Sequence, residues 1–128
     1  MPEDDYRGII LNVSQRDKTV FNELNIIGKK NVVWKLVVLF KVRVPARRLD
    51  GLIEQLQSNM AESFVHFIRE FYCHFYRANE LIIVFRKKVF KVGIDPSAWR
   101  DAIEYGKSLG IPAKQLDFVP HRIEDEQY

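Results

Sequence analysis

The chain has 128 residues, 47% of them hydrophobic and 29% charged, with one cysteine and a net charge of +3. That is enough apolar material to bury a core, and a single thiol excludes both an internal disulfide and a cysteine-based structural zinc site. The N-terminus, "MPEDDYRG", is acidic where a secretion signal would be basic, and the longest apolar runs, "VVLF" and "LIIVF", are far too short to span a bilayer, so a soluble cytoplasmic protein is expected.

"YRGIILNVS" reads as a strand, rich in branched residues. Its sequon at Asn12 is a chance match in a protein that is not secreted. A short helix is expected around Thr19–Ile26, stopped by Gly28. "NVVWKLVVLFKVRV" is the strongest strand signal. Trp34, Leu36, Val38, Phe40, Val42 and Val44 alternate with Val33, Lys35, Val37, Leu39, Lys41 and Arg43, and Pro45 ends the run. "ARRLDGLIEQLQSNM" then changes period: Leu49, Leu52, Ile53, Leu56 and Met60 make one helical stripe. "AESFVHFIRE" fits either the end of that helix or the start of a strand.

In "EFYCHFYRANELIIVFRKKVFKV" two extended stretches flank "RANE", a four-residue hairpin connection. Phe71, Cys73 and Phe75 are expected on one face with Leu81, Ile83 and Phe85. Tyr72, His74 and Tyr76 are expected on the other with Ile82, Val84, Arg86 and Lys88. "DPSAWRDAIEYGKSLGIP" is the best-punctuated helix. Asp95 suits the N-cap, Pro96 the first turn and Gly110 a left-handed C-cap, and Trp99, Ala102, Ile103 and Gly106 form the buried stripe. "QLDFV" reads as a last short strand.

From residue 32 onward the order is strand, helix, strand, strand, helix, strand. The simplest packing is the ferredoxin-like βαββαβ split sheet with both helices on one face. One domain, 1–128, is therefore expected, with an N-terminal extension at 6–31 whose strand adds at a sheet edge. The core spans 32–121, and the acidic termini 1–5 and 122–128 are expected to be mobile. The resemblance is to a fold shape and implies no function. Trp34, Leu36, Phe40, Leu52, Leu56, Phe71, Phe75, Ile83, Phe85, Trp99 and Ile103 should pack together.

Under that packing Cys73 is a buried small hydrophobe, and it cannot pair with His74, which points to the opposite face. The open face would carry Lys35, Lys41, Arg43, Tyr72, His74, Tyr76 and Arg86 as ligand or interface candidates. Mixed with Val37, Leu39, Ile82 and Val84, it needs a cover. Three functions fit. The first is a binding or assembly module that forms a homodimer through this face and takes a small ligand there. The second is RNA or single-stranded nucleic-acid binding, with tyrosines as stacking platforms. The RNA recognition motif shares the topology, but "LIIVFRKK" lacks its glycine-aromatic signature. The third is a cofactor-independent enzyme of the dimeric α+β barrel type, although no carboxylate is expected near His74 to orient it. No catalytic set, metal-ligand spacing, cofactor motif or phosphate loop is present. Without Glu3–Asp5 and Glu124–Glu126 the chain carries 20 basic against 11 acidic residues, a net charge of +9 that can attract anions.

Overall fold

The computed structural model describes residues 5–33, 37–61 and 71–111. They form a mixed α+β fold, one open antiparallel sheet of six strands with two α-helices. The strands are β1 (Tyr6–Leu11), β2 (Asn25–Val33), β3 (Val37–Val44), β4 (Tyr72–Arg77), β5 (Glu80–Phe85) and β6 (Lys88–Gly93). Helix α1 (Ala46–Asn59) follows β3 and α2 (Arg100–Ser108) follows β6. The strands stand side by side in the order β2-β3-β1-β4-β5-β6.

That order is not the one expected of a split βαβ sheet. The N-terminal strand is central rather than an edge addition: β1 pairs with β3 through Gly8↔Val42 and with β4 through Gly8↔Phe75. The short helix expected around Thr19–Ile26 is a 3-10 helix, Lys18–Glu23, opened by Asp17, whose side chain accepts from the Thr19 amide at 3.0 Å; it ends before Asn25, where β2 begins. The chain then runs straight into β2. Gly28 does not stop a helix but lies inside this strand, at a register shift opposite Lys41. The long strand of the sequence reading is two strands, β2 and β3, and Trp34, Lys35 and Leu36 between them lie outside the described residues. The return strand likewise splits at a turn over Arg86 and Lys87 into β5 and β6. Residues 62–70 and the final expected strand, with His66 and His121, also lie outside the described residues.

Cross-strand partners in an antiparallel pair share a face. The β4–β5 hairpin closes over only Ala78 and Asn79, with Ala78 at φ 51°, and pairs Tyr76 with Leu81, His74 with Ile83 and Tyr72 with Phe85. Leu81, Ile83 and Phe85 therefore lie beside the Tyr72–His74–Tyr76 row. Ile82 and Val84 lie beside Phe75 and Cys73, the reverse of the expected grouping.

Both sheet faces are buried, each against its own helix. On one face Cys73, Phe75, Ile82, Val84, Ile10 and Val42 meet Leu49, Ile53 and Leu56 of α1. On the other Leu81, Ile83, Phe85 and Tyr76 meet Trp99, just before α2, and Ala102 of α2. The single core expected from the sequence is thus two cores, with Phe71 and Phe75 in the first and Ile83, Phe85 and Trp99 in the second. Phe40 and Leu52 pack at the margin of the first and Ile103 at that of the second.

Helix ends form as their sequence signals dictate. The Asp95 carboxylate accepts from the Ser97 amide at 3.0 Å, which holds its pKa below the usual range. Gly110, at φ +92°, lets the Ile111 amide reach back to the Gly106 carbonyl. The C-terminal end of α1 is tied to the loop after β1. The fully buried Gln15 side chain donates through Nε2 to the Leu56 carbonyl, and its Oε1 accepts from Asn59 Nδ2 at 2.9 Å. The Ala61 amide bonds Ser14 O at 2.7 Å. Asn12 is engaged too, its side-chain oxygen accepting from the Val38 amide at 2.8 Å. Among the described residues no helix is long and apolar enough to cross a membrane.

Candidate functional site

The residues singled out by the sequence do not form one open surface. Lys41 is fully buried, and His74 and Tyr76 are nearly so. Sheet pairing sets Lys41 opposite Ile9, and Ile9 opposite His74 on its other side, so a strand separates the two basic groups. Tyr72 and Arg86 are half-buried at the end of β4 and β5 remote from Arg43. The Tyr72 ring lies 5.8 Å from Phe85 and 6.4 Å from His74, packed into the α2-side layer rather than spread as a stacking platform. Lys35 lies outside the described residues. Ile82 and Val84, expected on this face, are under α1. The mixed open patch drawn from the sequence is not formed.

Cys73 is buried in the α1-side core, and burial pushes its thiol up to about 12. The thiolate is the reactive form, so native protein at pH 8 should react with a thiol reagent such as Ellman's only at the rate of unfolding. Fast stoichiometric labelling without denaturant would show that Cys73 is accessible.

A cleft of about 440 Å³ opens where the end of β3 turns into α1. Its floor is apolar: Val44 and Pro45 at the turn, Leu24 from the chain leading into β2, and Leu52 one helical turn further on. Three arginines are among its lining residues, Arg43 from β3 with Arg47 and Arg48 from the first turn of α1. None of the three makes an ion pair or side-chain hydrogen bond among the described residues. Asp5 and Glu23 add carboxylates to the wall, and Asn25 and Gln55 add amides.

Proline 45 explains the geometry. It ends the β3 ladder, starts the helix, and its carbonyl accepts from the Arg48 amide at 2.9 Å. Arg47 and Arg48 are thereby held beside the end of β3, where Arg43 emerges. The first turn of α1 has no acidic residue and no side-chain cap. Arginines there run against the usual preference for carboxylates near a helix start. The motif "PARR" carried that anomaly in the sequence, but its meaning depends on Arg43 arriving from another element.

A second cleft, of about 370 Å³, lies on the other side of the α1 N-terminal half, against β5 and β6. Of its charged lining residues, Glu80 is paired. Arg77 bonds Glu80 at 2.8 Å and covers the Tyr6 ring at 4.3 Å, and Tyr6 donates to Glu80 at 3.3 Å. Burial, then the neighbouring Glu80, hold the Tyr6 phenol above its ordinary pKa, with Arg77 opposing. Among the described residues no group of three or more His, Cys, Asp or Glu could hold a metal ion. The chain matches no protein-family model, and no curated protein or solved structure matches it in sequence or fold.

Proposed function

We propose that this protein is a small cytoplasmic binding module whose ligand is a small anionic molecule held in the arginine-lined cleft at the β3–α1 junction. The observation that carries this reading is that Arg43, Arg47 and Arg48 line one cleft together with apolar Leu24, Val44, Pro45 and Leu52. With no side-chain partner among the described residues, these guanidinium groups hold their forked donors ready for an oxyanion. The volume falls within the range of about 300–1,000 Å³ common to small-molecule sites. The homodimer expected from the sequence rested on an exposed mixed face. His74 and Tyr76 are buried within the chain and Ile82 and Val84 lie under α1, which favours ligand binding at the cleft over assembly through that face.

Benzoate, an anion with an apolar body, tests the site. Titrated into isotope-labelled protein, it should shift the backbone amides of residues 43–55 saturably. Arg47→Glu with Arg48→Glu should abolish the shifts while leaving the fold intact, because both side chains are exposed. Shifts elsewhere, or shifts that survive the double charge reversal, would defeat the reading.

A further inference from the structure

We infer that the ligand of this cleft is a hydroxylated organic phosphate monoester, an inference that rests on the reading of the cleft as an anion site. One guanidinium fork already satisfies a carboxylate, which has two oxygens and one charge. Here three arginines line one cleft, and they come from two elements, a strand end and a helix start. A phosphoryl group has three terminal oxygens arranged tetrahedrally and about −1.5 to −2 charge at neutral pH, so it can engage all three at once. Asp5 and Glu23 lie on the same wall. They would repel a purely anionic ligand, but they are acceptors for hydroxyl groups, so the ligand has an anionic end and a donor-bearing end. The cleft, about 440 Å³, is far larger than a phosphoryl group needs, and the remainder holds the organic part over Leu52.

Four probes separate the components of this inference: glucose 6-phosphate, glucuronate, glucose and inorganic phosphate, each titrated by calorimetry into the full chain. Glucose 6-phosphate should bind best, at least roughly tenfold more tightly than glucuronate, the difference expected of one additional charge-assisted contact. Arg43→Gln and Arg48→Gln should each weaken it by a similar factor. Asp5→Asn with Glu23→Gln should not weaken inorganic phosphate, but should reduce the advantage of glucose 6-phosphate over it. Thermal melts of each variant show whether it is folded. Glucuronate binding as tightly as glucose 6-phosphate overturns the phosphate assignment while leaving the anion cleft standing. The same holds if glucose 6-phosphate fails to bind while benzoate still moves the cleft amides. Binding of glucose 6-phosphate that ignores the arginine substitutions overturns both, since the ligand then sits elsewhere.

Discussion

Phe85→Ala is expected to lower stability by about 3–5 kcal/mol, read from the urea midpoint at unchanged slope. The Phe85 ring is fully buried at the end of β5. It packs edge-on against Tyr105 of α2 at 4.9 Å and Phe90 of β6 at 5.9 Å, with Tyr72 beside it at 5.8 Å. Truncation removes the contact surface of three rings at once. Domains of this kind are stable by about 5–15 kcal/mol, so the loss is a large share of the total. Phe75→Ala should cost a similar amount from the other layer. Because the sheet lies between the two rings and they belong to separate clusters, the double variant should be additive to within about 0.5 kcal/mol. A Phe85→Ala loss below about 1 kcal/mol would remove that ring from the core. Strong coupling between the two substitutions would mean that the layers are not independent.

Gly8→Ala is the second large effect. Gly8 lies in the middle of β1 with Val42 on one side and Phe75 on the other. A β-carbon there would stand 2.4 Å from two atoms of the Phe75 ring and 3.3 Å from a Val42 methyl. Phe75 has no exposed surface and cannot swing aside. Overpacking of this kind costs about 1–3 kcal/mol, and the central position makes the upper part of that range the expected result. A second change, Phe75→Leu, vacates the ring edge and should restore part of the loss in the Gly8→Ala background, although alone it destabilises. If Gly8→Ala melts with the parent chain, β1 is not between β3 and β4.

The candidate cleft was the least legible part. Arg43 was among the residues singled out from the sequence, but as one member of a row with Lys41 and His74 on an open face. Lys41 and His74 are instead buried, and the partners of Arg43 in the cleft are Arg47 and Arg48, separated from it by a proline turn. Alternation along a strand states which side chains share a face. It does not state what the end of that strand meets.

What the sequence determined by itself is what local spacing controls. The stripe of Leu49, Leu52, Ile53, Leu56 and Met60 makes α1 readable, and Asp95, Pro96 and Gly110 punctuate the second helical segment, because caps and helical periods act within a few residues. The burial of Cys73 follows instead from strand alternation, which sets it on the same face as Phe71 and Phe75. Only the tertiary structure decided that β1 lies at the centre of the sheet, that the hairpin register brings Phe85 beside Tyr72, and that α1 and α2 cover opposite faces. One signal for the last point was present: "LIIVF" is apolar at every position, the mark of a strand buried on both sides, and Leu81 through Phe85 are all buried. A run of that kind shows that two covers exist. Which elements supply them is a matter of pairing between segments far apart in the chain, where the free energy comes from contacts that no local pattern encodes.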